Sequence, residues 1–217
     1  MKSFCVIGLG KFGTSLALSL VNHGKQVMVI DSDADRVNAI ADSVTNAVIG
    51  DATNENLLRA SGVAAYDCAV VCMAGNTSDI ILITILLKEL GVKKVIARAV
   101  NEGHKKVLER IGTDEITFPE HDAGEKLAFR LSKNSVVDYV QFAGYKIVEI
   151  LVPNDWIGKN LMELNPRRKF GINIIAVTAA ESAKPNVSPA PDRPFCAGDR
   201  VVVIGTDKDI EKLSKFM

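Results

Sequence analysis

The strongest constraint on this chain is a glycine-bearing turn near its start. Ser3-Phe4-Cys5-Val6-Ile7 is a short apolar run, and Gly8-Leu9-Gly10-Lys11-Phe12-Gly13 follows it with the spacing G-x-G-x-x-G. An amphipathic stretch comes next. Val27-Met28-Val29-Ile30-Asp31 then closes a second apolar run with an acid, about 18 residues beyond Gly13. The order strand, tight turn, helix, strand, acid gives each part a task on a nucleotide. The first glycine permits the turn, the second lets backbone approach a pyrophosphate, and the third lets helix and strand pack closely. Helix-start amides attract phosphate charge. Asp31 can accept hydrogen bonds from both ribose hydroxyls and would repel a 2′-phosphate. Turns need glycine anyway, so the bland alternative is an α/β domain with an unused crevice. The strand, helix and acid falling where the motif demands favours a nucleotide site. ATP, ADP and NAD all carry the ribose that Asp31 would read.

Composition narrows the partners. The 217 residues suffice for one large domain or two small ones, and 47% are hydrophobic. Twenty-six acids balance 26 bases, for a formal net charge of zero. This argues against nucleic acid as the main partner. The longest apolar block, Ile80 to Leu87, falls far short of the roughly 20 residues a bilayer span needs. The start of the chain reads as a strand rather than a signal segment. The expectation is a soluble, cytoplasmic protein, with a peripheral role at a membrane left open.

Cys5, Cys68, Cys72 and Cys196 do not read as a metal or disulfide set. Cys68 and Cys72 are four steps apart on one predicted strand, roughly 13 Å. They are expected to be small buried apolar side chains in a reducing compartment. His23, His104 and His121 show no ligand spacing. His104, beside Lys105 and Lys106, is expected to be solvated, and His121 has no evident orienting partner. No catalytic acid–base group stands out.

The first half alternates strands with helices. Strands are expected at Asn46–Asp51, Asp67–Met73, Lys94–Arg98 and Glu115–Phe118. Helices are expected at Ala34–Asp42, Glu55–Ala60, Thr77–Leu90 and Glu102–Ile111. This grammar implies a doubly wound parallel sheet. Pro119-Glu120 breaks it, and Ala123–Ser132 has helical periodicity with Leu127, Ala128 and Leu131 on its apolar face. Strands are then expected at Val136–Phe142, Tyr145–Val152, Gly171–Val177 and Arg200–Ile204. A short helix is expected within Trp156–Leu164, a loop over Glu181–Arg193, and a last helix over Asp207–Phe216 capped by Asp207. The fold class is therefore α/β: a Rossmann-like doubly wound parallel sheet followed by a small α+β C-terminal lobe. The domains are 1–118, a connecting helix over 119–134, and 135–217.

With these residues in place, the chain resembles the cytoplasmic regulatory subunits of Trk/Ktr-type potassium uptake systems, built from the RCK (regulator of K⁺ conductance) domain. The resemblance is carried by Gly8 to Gly13, Val29-Ile30-Asp31, Gly50-Asp51-Ala52-Thr53, Ala97-Arg98-Ala99 and Phe118-Pro119-Glu120. In the second part it is carried by Gly171 to Val177, Ser188-Pro189-Ala190-Pro191 and Gly198 to Gly205. It covers essentially the whole chain. It implies a non-catalytic gate in which ATP or ADP, or else NAD or NADH, binds across the glycine turn and rearranges a homodimer within an octameric ring docked on a membrane potassium-transporting subunit. The alternative from the glycine turn alone is an NAD-dependent oxidoreductase or an NAD(H) redox sensor.

The resemblance also assigns residues. The nucleotide would meet Gly8, Leu9, Gly10, Lys11, Phe12, Gly13, Asp31, Ser32, Asp51, Ala52, Thr53, Ala74, Arg98 and Glu120. Asp31 would hold the ribose and Asp51 would lie near the adenine side. Arg98, at a strand end, could pair with phosphate oxygens or form a surface salt bridge. Lys11 departs from the arginine common in similar subunits and is a point charge without the bidentate fork. Glu120 would face a partner subunit's phosphates and help to hold Mg²⁺ or Ca²⁺; its bland alternative is a helix N-cap. The helix after Glu120 would cross over between subunits as a hinge. Arg167, Ile172, Asn173, Ile174 and Pro189 are the candidates for a second ligand in the C-terminal lobe, cyclic di-AMP in related subunits.

Overall fold

A computed structural model describes residues 2–73, 75–132 and 136–214. The chain divides into two compact units, 1–120 and 121–217. In the first, strands and helices alternate: β1 (Ser3–Ile7), α1 (Lys11–Asn22), β2 (Gln26–Asp31), α2 (Ala34–Asn38), β3 (Asn46–Ile49), α3 (Glu55–Ser61), β4 (Cys68–Val71), α4 (Thr77–Glu89), β5 (Val95–Arg98), α5 (Glu102–Arg110) and β6 (Glu115–Thr117). The six strands form one parallel sheet in the order β3-β2-β1-β4-β5-β6. The order reverses between β1 and β4, and the crevice at such a switch point is where doubly wound sheets bind ligands.

Burial follows from this layering. Every residue of β4 is buried, as expected of a strand covered on both faces. One core holds Cys5, Ile7, Met28, Ile30, Ile80, Ile83 and Leu87. The opposite face holds Val6, Leu9, Ala17, Val27, Val29 and Cys72. Successive residues of β1 and β2 thus feed different cores, the period-two rule of a strand. Asp67 ties the sheet together at its far edge. Its carboxylate accepts the Ser3 amide at 3.0 Å and pairs with Lys93 at 2.9 Å.

The Ala34–Asp42 helix is shorter than its periodicity suggests. Asp33 caps α2, accepting from the amides of Asp35 and Arg36. Ile40 then leaves helical dihedrals (φ −126°) and is buried, and a 3₁₀ turn follows over Ala41–Ser43. Helix α6 (Pro119–Leu131) begins earlier than the sequence reading, with Pro119 as its first residue. Proline is well suited there, since its missing N–H would have had no intrahelical acceptor. Glu120 therefore lies within the first turn and is not the cap residue.

In the second unit, β7 (Val136–Phe142), β8 (Tyr145–Leu151), β9 (Asn173–Thr178) and β10 (Arg200–Gly205) form an antiparallel sheet in the order β7-β8-β10-β9. Between β8 and β9, the short helix expected within 156–164 is present, with a further short piece on either side of it. A 3₁₀ turn spans Asn154–Trp156, α7 spans Leu161–Leu164 and α8 spans Pro166–Phe170. Gly158, at φ +81°, prevents continuity. Asn160 and Glu163 form a capping box on α7, and Pro166 opens α8. The core here is Trp156, Phe195, Val148, Ile150, Ile172, Val201 and Val203, with Phe129 of α6 packed against it. Helix α9 (Asp207–Ser214) is capped by Thr206 rather than Asp207. The Asp209 carboxylate accepts from both the amide and the hydroxyl of Thr206. Leu127 and Leu131 of α6 are exposed. No helix among the described residues is long and apolar enough to cross a membrane.

Candidate functional site

The three glycines of the turn occupy three different environments. Gly8 has φ +94°, a conformation that favours glycine, and a Cβ there would stand 2.8 Å from Met73 Cγ. Its amide donates to the Ile30 carbonyl at 2.8 Å. A Cβ on Gly13 would lie 1.9 Å from the Gly8 carbonyl oxygen, so α1 can seat against β1 only without one. A Cβ on Gly10 would meet nothing within 4 Å. The middle glycine faces open space, the side from which an anion would come. Gly10 also begins α1 without a side-chain cap. The first amides of the helix therefore have neither an intrahelical acceptor nor a capping oxygen, and they aim at that space.

Asp31 fixes this turn from the end of β2. One carboxylate oxygen accepts the Leu9 amide and the other accepts the Asp33 amide at 2.9 Å. Each oxygen keeps a second lone pair, which is what two ribose hydroxyls require. Asp51, beyond β3, is exposed. Its Oδ1 accepts both the amide and the hydroxyl of Thr53, at 2.9 and 2.8 Å. These bonds, the amide first, hold its carboxyl below the usual carboxylate range.

A cleft with about 260 Å³ of atom-free space opens at the carboxyl edge, lined by Gly8, Asp31, Ser32, Asp51, Ala52 and Met73 among others. A wider groove of about 830 Å³ lies along the outer side of the turn and α1, where Leu9, Gly10 and exposed Lys11 meet Arg36. The glycine turn thus separates a carboxylate-lined cleft from a groove lined by Lys11 and Arg36. Gly50, Met73, Thr14 and Arg36 line these openings and are not among the residues the sequence singles out for the site. Gly50 had a signal in its motif, and a Cβ there would clash with Leu57 at 2.0 Å. Met73 had none, because it reaches the cleft only through the pairing of β4 with β1. Ala74 lies outside the described residues.

Arg98 is not in either opening. Its guanidinium pairs in a fork with both oxygens of Glu120, and Nη1 donates to the Cys72 carbonyl at 3.4 Å. Its Cζ lies 5.9 Å from the centroid of the Phe12 ring. Its side chain is only 11% exposed, against 59% for Glu120, so the pair is half out of water rather than a surface salt bridge. Among the described residues no group of three His, Cys, Asp or Glu side chains could hold a metal ion. This chain alone therefore supplies no fitted cation site around Glu120.

His104 corrects the sequence reading: it is buried, not solvated. Its Nδ1 accepts from the Val100 amide at 3.4 Å, its Nε2 has no partner, and burial lowers its pKa. His121 is exposed and lies 3.4 Å from Asp122. Three of the cysteines are buried as expected, and burial pushes the Cys72 thiol up to about 12. Cys196 is exposed, contrary to expectation. It sits in a tight loop braced by buried Asp199, whose carboxylate accepts the amides of Cys196 and Ala180 and pairs with Arg193.

The second-ligand candidates are spread over the second unit. Arg167 on α8 and Asn173 at the start of β9 are exposed, and Ile174 is half-buried against the core. Ile172 is wholly buried, so its side chain belongs to the core. Pro189 lines a separate pocket of about 400 Å³ with Ser182, Lys184, Asn186 and Arg193.

Comparison with known proteins agrees with this architecture. Residues 4–119 match the TrkA-N domain family and residues 147–217 match the TrkA-C domain family. Ktr system potassium uptake protein C of Bacillus subtilis (strain 168) is 38% identical over 215 residues, 99% of this chain and 96% of that protein. Ktr system potassium uptake protein A of the same organism is 38% identical over 97% of this chain and 95% of its own length. Among solved structures, the GsuK channel bound to NAD shares the fold with a TM-score of 0.54 at 24% identity, over 100% of this chain and 38% of that one. The alternating parallel unit, the antiparallel unit after it and the near full-length identity place the chain in the family of Ktr and Trk potassium uptake proteins built from a TrkA-N domain followed by a TrkA-C domain.

Proposed function

We propose that the chain is a nucleotide-sensing regulatory subunit that gates a membrane potassium-transporting partner and catalyses nothing itself. One observation carries the reading. Asp31 holds the glycine turn while Gly10 leaves its phosphate side open. ATP and ADP are the ligands the site favours, with ribose on Asp31, phosphates on the first amides of α1, and Lys11 as the cation beside them. Asp31 serves the ribose of NAD or NADH equally well, and a channel of the same fold is described as bound to NAD. A Mg²⁺ or Ca²⁺ ion would arrive bound to the phosphates of a partner subunit's nucleotide, which Glu120 would face.

Function as a gate needs two arrangements with different affinity for the ligand. A homodimer supplies them if α6 is shared between copies, and the exposed Leu127 and Leu131 give that helix an apolar face for a partner. Assembly into an octameric ring would let several sites contribute to one gate. Such a subunit would work on the cytoplasmic side, peripheral to the membrane through its partner. Cyclic di-AMP is the proposed ligand of the second unit, with Arg167, Asn173, Ile174 and Pro189 as its candidate contacts. The oxidoreductase alternative gains little, because His104 is buried and presents no proton-transfer group to the cleft.

The test is rubidium flux in vesicles holding a Ktr-type membrane subunit. With the chain added, flux should differ between ATP and ADP, and Asp31→Ala should remove the difference. Equal flux with either nucleotide, or with the chain omitted, would refute the gate.

A further inference from the structure

The Arg98–Glu120 pair sits against the proposed phosphate site, yet neither residue lines either opening. Arg98 ends β5 at the carboxyl edge, and Glu120 is in the first turn of α6. The guanidinium touches three elements at once. It donates to Cys72 beyond β4, lies over Phe12 in the first turn of α1, and forks onto Glu120. Phe12 and Gly13 belong to the turn whose amides face the open side of Gly10. Arg98 is therefore a largely buried guanidinium standing beside a phosphate-seeking helix start.

A guanidinium fork fits carboxylate and phosphate in the same bidentate way. We propose that Glu120 is an intramolecular competitor for the nucleotide's phosphate: its carboxylate holds Arg98 in the nucleotide-free chain, and a di- or triphosphate displaces it. This rests on the nucleotide reading above and adds to it a route from the site to α6. The partners are unequal in the manner such an exchange needs. Arg98 is largely buried and requires an anion throughout, whereas Glu120 is mostly in water and gives up little by leaving. Once free, its carboxylate still lies at a helix N-terminus, where negative charge is favoured. The first turn of α6 would then lose its tie to β5.

The whole chain is titrated with ADP and with adenosine in EDTA, so that no cation bridges phosphate to Glu120. Glu120→Gln should tighten ADP about two- to fivefold, the strength of a half-exposed ion pair, and leave adenosine unchanged. The double variant Arg98→Gln, Glu120→Gln should lose that gain. In the wild type, ADP but not adenosine should speed hydrogen exchange of the amides of residues 120–124. Unchanged or weaker ADP binding by Glu120→Gln, or an equal gain for adenosine, would overturn the competition. Slower exchange with ADP would do the same. If wild type and variant bind neither ligand, the nucleotide reading itself falls, and the competition falls with it.

Discussion

Gly10 and Gly13 share a motif but answer to different physics. An alanine at 13 must push its Cβ into the Gly8 carbonyl. Gly13→Ala should cost about 1–3 kcal/mol of stability through overpacking, read as a lower denaturant midpoint. Gly10 has ordinary dihedrals and open space. Gly10→Ala should change stability by less than about 1 kcal/mol and weaken ATP and ADP binding about tenfold or more. Equal stability losses at the two positions would refute this division. Asp67 gives a pH signature. The Lys93 ammonium first, and then the Ser3 amide, hold its carboxyl at about 2, below the usual 3.8. A depressed folded pKa means that its stabilisation is full above about 4 and is lost as pH falls towards 2. Acid titration of stability should therefore be shallower for Asp67→Asn in that window, and identical slopes would contradict the linkage. At this scale the sequence is most informative where chemistry is local. The backbone roles of Gly8 and Gly13, and the place of Asp31 at the end of β2, follow from spacing alone. The pairing of Arg98 with Glu120 does not, because it depends on where α6 begins.

At the scale of elements, periodicity locates strands and helices, while their ends are set by contacts. The apolar run at β4 is legible because both its faces are covered. The early stop of α2 is not, since burial of Ile40 ends it. The bounds of α7 have local signals, Gly158 before it and Asn165 and Pro166 after it. His104 shows the limit of charge patterning, since it is buried while Lys105 is half-buried and Lys106 exposed. The exposed Cys196 gives a direct test of this layer. One thiol per chain should react with a chromogenic disulfide in the native protein and four after unfolding. Three or more fast thiols would contradict the burial of Cys5, Cys68 and Cys72. In the second unit, Trp156 lies between Phe170 and Phe195, with centroids at 5.7 and 5.9 Å. Trp156→Ala should destabilise that unit by about 3–5 kcal/mol, measured by circular dichroism during denaturation.

For the whole molecule, the two units have separate cores and helix α6 follows directly from the first: Glu120, in its first turn, pairs with Arg98, and Phe129 packs against the core of the second unit. Moving a gate from mostly closed to mostly open needs several kcal/mol of differential binding, about 5.5 for a full reversal. The central claim is that the glycine turn is a working nucleotide site with a preference. Calorimetric titration with ATP, ADP, NAD and NADH, with and without Mg²⁺, tests it most directly. The account predicts saturable binding of ATP and ADP with unequal affinity, both weakened in Gly10→Ala. Binding of NAD or NADH alone, or no saturable heat from any of the four, would contradict it.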